Sequence, residues 1–297
     1  VLIERGSTLD KLFQEKLQSG GFQVIARLTS PKSPDLSSTL AQASSWKGKV
    51  DGILVTDNPS ARMGISHLVL GEMLKREGHD VILTISCRDR NRMALGSTAL
   101  GAAALSIGTI LCVSGDYFTF GDHPEAKPVY DLDSVQLIAM LQEMQNGRDA
   151  AGNSLDASLS FCLGAAVCAT ADPLLPQLMK ARKKVAAGAV FFVTLPIFTI
   201  DQLDPFLGAV KDLAVKIIVG VLLPSYREIT GYQDGSIPGT FIPAFLVSRW
   251  RDEGDEAFLT SSAEHVRKLI SDLRASGKVE GVCISASGRE SEVQGLL

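Results

Sequence analysis

A single-domain (β/α)8 barrel is the fold the sequence predicts, on three observations. Eight short apolar runs alternate with helical segments along the 297 residues, with no linker, short-period repeat or low-complexity tract between them. No Gly-x-Gly-x-x-Gly turn joins a strand to a helix, which disfavours a doubly wound sheet, the other arrangement of alternating elements. Polar residues gather directly behind the apolar runs, where the carboxyl ends of barrel strands bind ligands.

A helix over residues 9–17 opens the chain, and Gly20-Gly21 turns it into a first strand at 22–28. A Pro/Ser loop at 29–34 leads to a helix at 36–46 and a second strand at 50–55, which ends at Thr56-Asp57-Asn58-Pro59. The helix from about 64 to 77 meets Gly78, which suits the left-handed position beyond a helix C-terminus. A third strand at 81–86 runs into Cys87-Arg88-Asp89-Arg90-Asn91-Arg92, and an alanine- and leucine-rich helix follows at 93–106.

Residues 110–113 form a continuous apolar run, read as a strand buried on both faces, and lead straight into Ser114-Gly115-Asp116. The loop from Tyr117 to Tyr130 is longer than a connection needs, and loops of that kind are usually functional. Asp133-Ser134 opens an amphipathic helix with Val135, Leu137, Ile138, Leu141 and Met144 as its buried stripe. Strands at 159–165, 190–194 and 216–222 then alternate with helices at 174–185 and 200–213. A Gly- and Pro-bearing segment reaches Pro243 and gives way to a helix ending near Arg251. Ala263, Val266, Leu269, Ile270 and Leu273 mark the last long helix, before an eighth strand at 282–285.

Composition narrows the function. Apolar residues make up 45 % and charged residues 21 %, and the net charge of −4 comes with no basic run interleaved with aromatics, which excludes a nucleic-acid footprint. The most apolar stretches, 94–113 and 185–198, are interrupted by Gly, Ser or Pro and read as helix plus strand instead of a membrane span. Five cysteines, several inside apolar runs, fit a reduced compartment, and with an N-terminus lacking a signal-peptide pattern the expectation is a cytoplasmic protein. There is no Cys-x-x-Cys and the four histidines are scattered, so no metal site is expected.

The expected active face gathers Arg27, Thr29, Thr56, Asp57, Arg88, Asp89, Asp116, Thr194, Pro224 and Ser287. Structural readings stand beside the functional ones. Arg88 to Arg92 also reads as a solvated charge run with Asn91 as a helix N-cap, and Asp116 and Thr56 to Asn58 as turn formers. Lys184 also reads as a complement to a helix dipole, His123 as solvent-exposed, and Trp46 and Trp250 as packing residues.

Taken together, Val55-Thr-Asp-Asn58, Ser86-Cys-Arg-Asp-Arg-Asn91, Ser114-Gly-Asp116, Gly121-Asp-His-Pro124, Tyr130-Asp-Leu-Asp-Ser134, Lys184-Val-Ala-Ala-Gly-Ala189 and Leu223-Pro224 with Ile237-Pro-Gly239 resemble the methylenetetrahydrofolate reductase family. They cover nearly the whole chain in order, and the likeness is to the single-domain bacterial type. The resemblance implies a flavin, usually FAD with FMN an alternative, across the carboxyl face of the barrel. Thr56, Thr84, Ser114, Gly115, Asp116, Tyr130, Asp131 and Lys184 fall where the family makes its flavin contacts. It also implies reduction by NAD(P)H or another electron donor, one source being a partner subunit, and hydride transfer to 5,10-methylenetetrahydrofolate in one-carbon metabolism and methionine biosynthesis. Self-association is expected as well. Asp116 would sit by the flavin pyrimidine edge and the folate, tuning the one and favouring the iminium form of the other.

Two positions depart from the family pattern. Where the first strand ends in a glutamate thought to donate the ring-opening proton, this chain has Arg27, and an arginine is no general acid near neutrality. Where a glutamine binds the pterin, this chain has Leu195, which has no hydrogen-bonding side chain. Thr84 also replaces a common histidine. The alternative is a divergent flavoprotein, an electron-transfer subunit or a binding protein of the same fold without folate reduction. On either reading Arg27 is expected to pair with Asp116 across the barrel mouth.

Overall fold

Eight parallel strands close into a barrel in strict chain order in this computed structural model, which describes residues 12–233, 240–252, 255–286 and 288–297. They are β1 (Gln23–Leu28), β2 (Gly52–Val55), β3 (Val81–Ser86), β4 (Thr109–Val113), β5 (Cys162–Val167), β6 (Phe191–Thr194), β7 (Lys216–Leu222) and β8 (Gly281–Ser285). The helices are α1 (Leu12–Ser19), α2 (Ser37–Ser45), α3 (His67–Arg76), α4 (Arg92–Ala104), α5 (Ser134–Gln145), α6 (Leu175–Ala186), α7 (Asp204–Val210), α8 (Tyr226–Gln233), α9 (Ala244–Asp252) and α10 (Asp255–Ser276). Strand side chains alternate, so every strand serves two cores. Val24, Ala26, Ile53, Val55, Leu83 and Ile85 face outward into the helix layer, while Ile25, Leu54, Ile82, Leu111, Phe191, Val193, Ile218 and Cys283 fill the lumen.

The amino end of the lumen is shut by α1, whose Phe13 and Leu17 join the interior cluster. Phe13 meets Phe191 edge-on at 5.3 Å between ring centroids. Gly164 makes room for that arrangement, because a Cβ there would fall into the Phe191 ring. At the carboxyl end, the pairing register combined with the strand tilt of an eight-stranded barrel sets Arg27, Thr84, Ala166 and Gly220 in one inward layer. Leu54, Leu111, Val193 and Cys283 form the layer beneath, and Leu195 and Ser285 belong to the rim above.

The sequence-based boundaries need four corrections. The expected helix at 200–213 is a 3-10 turn, Ile200–Gln202, followed by the short α7, which restarts with Pro205 in its first turn. The fifth strand begins at Cys162, three residues later than 159, because the Gln145 side chain holds the Phe161 amide at 2.7 Å just before it. The segment read as irregular up to Pro243 contains α8. On α5, Leu137, Ile138, Leu141 and Met144 are buried as expected, but Val135 is only half-buried and Met140 joins the stripe. Residues 9–11 of the first helix, Ile237-Pro-Gly239 and Ser287 lie outside the described residues.

A satellite core covers one side of the carboxyl end. Phe198, Leu222, Ile229, Ile242, Leu246, Val247, Trp250 and Phe258 pack together there, with Trp250 edge-on to both Phe198 and Phe258. Trp46 and Trp250 are both fully buried packing residues. Among the described residues no helix is long and apolar enough to cross a membrane.

Candidate functional site at the carboxyl mouth of the barrel

Three loops, those after β2, β3 and β4, are tied into one block by a single side chain. Arg88 follows β3 directly and is 1 % exposed. Its guanidinium grips the Asp89 carboxylate from Nε and Nη2 (2.7 and 2.9 Å) and donates to the Asp116 carbonyl (3.1 Å) and the Asn58 carbonyl (3.0 Å). The Phe118 ring covers it at 4.9 Å. Asn58 closes the circuit by donating to Asp89 (3.1 Å) and accepting from the Gly64 amide (3.1 Å). Asn58, Ser60, Ala61 and Tyr130 all have positive φ, strained conformations for residues with side chains, and all lie in these loops.

The glycines show how closely the loops approach. Gly115, at φ +91°, leaves no room for a Cβ against Ser86 Oγ, and a Cβ on Gly121 would run into the Ala61 carbonyl oxygen. Asp122, next in line, accepts from the Met63 amide (3.2 Å), pairs with Lys32 and meets His123 Nδ1 at 2.7 Å. The Gly-Asp-His-Pro run is therefore a clasp between loops. Asn91 is the N-cap of α4, its Oδ1 accepting from the Ala94 amide at 3.0 Å, as one of its readings has it.

Beneath the rim, Asp57 turns outward and buries its carboxylate against His67 Nδ1 (3.1 Å), Arg90 (2.6 Å) and the Ser86 amide (2.9 Å). Burial raises its pKa, but the His67 and Arg90 interactions outweigh that and hold it well below the ordinary carboxylate range. The Arg88–Arg92 run is thus no solvated face: Arg88 and Arg90 are consumed by internal carboxylates, while exposed Arg92 pairs with Asp131 at 2.9 Å.

Of the expected site residues, Ser114, Gly115, Asp116 and Tyr130 come together beside this block. The Tyr130 hydroxyl donates to the Gly115 carbonyl at 3.1 Å, and Asp116 Oδ2 accepts from the Ser60 amide at 3.1 Å. Ser114 Oγ lies 3.3 Å from Ser134 Oγ. Thr84 belongs to the floor of the mouth; it is 6 % exposed and its hydroxyl has no hydrogen-bond partner. Thr56 points at β1, donating to the Leu28 carbonyl and accepting from the Ser30 amide, both at 3.2 Å. Asp131 holds Arg92 and its amide.

Lys184, on α6 outside the barrel, donates to the Ala166 carbonyl at 2.5 Å; burial, with the nearby Lys180 charge, brings its pKa down to about 8. Leu195 is half-buried on the rim, its amide bonded to the Val167 carbonyl at 2.8 Å. Thr194 is no free ligand, because its hydroxyl accepts from the Gly220 amide at 2.9 Å and donates to the Leu195 carbonyl at 2.8 Å.

The expected Arg27–Asp116 pair is not formed. Among the described residues no ion pair joins them, and Asp116 is held by the β2–α3 loop instead. The half-buried Tyr232 phenol of α8 lies within electrostatic reach of both charges. Sequence reasoning placed Arg88 on the active face without its role as the tie between three loops, because its partners are backbone carbonyls distant in sequence. It missed Arg289 altogether. Arg289, bound to the Pro224 and Leu259 carbonyls (2.9 Å each), Ser262 and Glu292, pins the loop after β7 to α10 from beyond the last strand. At the closed end of the barrel, a cleft of about 370 Å³ between α1 and the segment before β7 contains none of the expected site residues.

Comparison with known proteins bears on the fold and the family. No curated protein sequence matches the chain. Among solved structures, an uncharacterised protein from Clostridium thermocellum that binds two copies of 5-methyl-5,6,7,8-tetrahydrofolic acid aligns with a TM-score of 0.60 at 14 % identity, over 93 % of this chain and 92 % of that one. Oxaloacetate acetylhydrolase aligns with a TM-score of 0.51 at 11 % identity over 93 % of this chain and 79 % of the other. 2,3-Dimethylmalate lyase aligns at 0.50 and 12 % identity over 92 % and 79 %. At such identities these likenesses show a shared barrel and no more. The methylenetetrahydrofolate reductase family profile, however, matches residues 12–296, the full span from α1 through β8, and the chain belongs to that family.

Proposed function

We propose that the protein is a flavin-dependent, folate-binding oxidoreductase that passes hydride to 5,10-methylenetetrahydrofolate, giving 5-methyltetrahydrofolate. The observation that carries this reading is the rigid three-loop block on the rim, with the buried, unpartnered Thr84 hydroxyl on the floor below it. Such a set suits a planar ring edged with carbonyls and N–H groups. The Thr84 hydroxyl can donate and accept, Gly115 allows close backbone approach, and Asp116 places a carboxylate at the edge. The folate bound by the Clostridium thermocellum neighbour supports a ligand of that class here.

A bound flavin, FAD with FMN an alternative, supplies the hydride after reduction by NAD(P)H or by a partner subunit. This chain's residues do the positioning. Thr84, Ser114, Gly115 and Tyr130 orient the ring. Asp116 favours the cationic iminium form of the folate. Thr56, Asp131 and Lys184 hold the surrounding backbone through the bonds they already make. With an arginine in place of the glutamate, the ring-opening proton comes from water.

The visible spectrum of purified protein, followed by anaerobic mixing of the reduced form with methylenetetrahydrofolate, tests this. Flavin bands that return on mixing are expected, with Asp116→Asn slowing the return by about 10²-fold. A colourless protein, or reduced flavin that the folate leaves reduced, would refute the reading. The latter result would favour a second reading, an electron-transfer or altered-substrate flavoprotein. Arg27 in the floor and Leu195 on the rim support that reading, because both folate-side positions have changed chemistry.

A further inference from the structure

The inward layer at the floor of the mouth differs from the two directly beneath it. Those are filled by Leu54, Leu111, Val193 and Cys283 and then by Ile25, Ile82 and Ile218, none of them charged. At the floor stand Arg27 and Thr84, with Ala166 and Gly220 completing the ring; the Thr194 carbonyl closes over Gly220, so the small side chain beside the cation is Ala166. Arg27 is half-buried, and among the described residues its guanidinium makes no hydrogen bond and no ion pair. Thr84 adds the buried hydroxyl without a partner. Buried polar groups are nearly always satisfied in native proteins, so the Thr84 hydroxyl points to a missing partner, and the Arg27 guanidinium stands in the same layer without a carboxylate.

The neighbouring groups do not supply it. Asp116 is held by the Ser60 amide, and Glu228 by the Ser225 amide and hydroxyl at 2.9 and 3.0 Å. The Tyr232 phenol and the Cys283 thiol also lie in electrostatic reach of Arg27, and burial keeps both neutral, raising the thiol to about 12.

We propose that this floor is an anion subsite: Arg27 supplies the charge and a planar donor fork, Thr84 a hydroxyl donor, and the small Ala166 side chain leaves the space, for a carboxylate carried by a small ligand. The planar fork favours a carboxylate over a spherical ion. The subsite does not depend on a bound flavin, and one hydroxyl can donate to the anion while accepting from a ring N–H.

Calorimetric titration with oxalate at fixed ionic strength is the test, on wild type, Arg27→Gln, Arg27→Lys and Thr84→Val, with Arg62→Gln on the exposed rim as control. Saturable binding by wild type and by the control is expected. It should weaken about tenfold or more in Arg27→Gln, and less in Arg27→Lys, which keeps charge without the fork. Thr84→Val should weaken it a few-fold. Competition by 5-methyltetrahydrofolate that is lost when its glutamate is removed would assign the subsite to a folate tail. Competition that survives the removal, or none at all, would assign it to a separate small carboxylate. Equal oxalate affinity in Arg27→Gln, or no saturable binding by folded wild type, overturns the proposal.

Discussion

Arg88 hands its donors to a carboxylate and two backbone carbonyls from three different loops, so its removal leaves Asp89 facing a buried gap and the Asn58 and Asp116 carbonyls unpaired. Truncating one partner of a buried charged network costs about 3–5 kcal/mol. Arg88→Met should therefore lower stability in urea by roughly that amount, and bring protection of the β2–α3 and β4–α5 loop amides down to exchange-limited values. Unchanged loop protection would show that the block does not depend on this side chain.

Lys184 makes a prediction about pH. Its folded pKa of about 8 lies below its ordinary 10.5 because burial, reinforced by the Lys180 charge, disfavours the ammonium. Between those values the unfolded chain binds more protons than the folded one, so this residue makes stability rise with pH across that window. The gain is complete above the ordinary value and lost as pH falls through about 8. Urea midpoints of wild type and Lys184→Met from pH 7.5 to 10.5 should show a shallower slope in the variant. Parallel profiles would mean the amine titrates normally.

At the scale of elements, the strands were legible because burial on both faces leaves a continuous apolar run: the observed β3 and β7 coincide with the runs at 81–86 and 216–222. Capping was legible too, since Asp133 with Gln136 forms the capping box that starts α5. What could not be read depends on contacts distant in sequence. The start of β5 is set by a glutamine on α5, and α8 is held by a satellite core contributed by α9 and α10. The same divide runs through the site. Which polar residues follow each strand was evident, but their partners were not, so Arg27 was matched to Asp116 while the backbone of Ser60 takes that carboxylate.

The satellite core also carries a prediction at this scale. Trp250 is fully buried and packs edge-on against two aromatic rings. Trp250→Ala should cost about 3–5 kcal/mol in urea unfolding. The loss should be confined to the side of the mouth over β7, with exchange protection of α3 and α4 retained.

For the whole molecule, the barrel order and the family assignment rest on the full length of the chain, and so does the plug at its amino end. Phe13 sits wholly inside, against Phe191. Phe13→Ala should leave a cavity and cost about 3–5 kcal/mol, read from the urea midpoint with the slope unchanged. A midpoint within experimental error of wild type would mean α1 is an ornament on a barrel that closes by itself.

That plug bears on traffic. A lumen packed solid from Phe13 upward has one doorway, so arrivals and departures share it. Two reactants that need the same floor must take turns, the first leaving before the second is seated. Each would then act as a dead-end competitor of the other, and raising either in excess would slow the cycle.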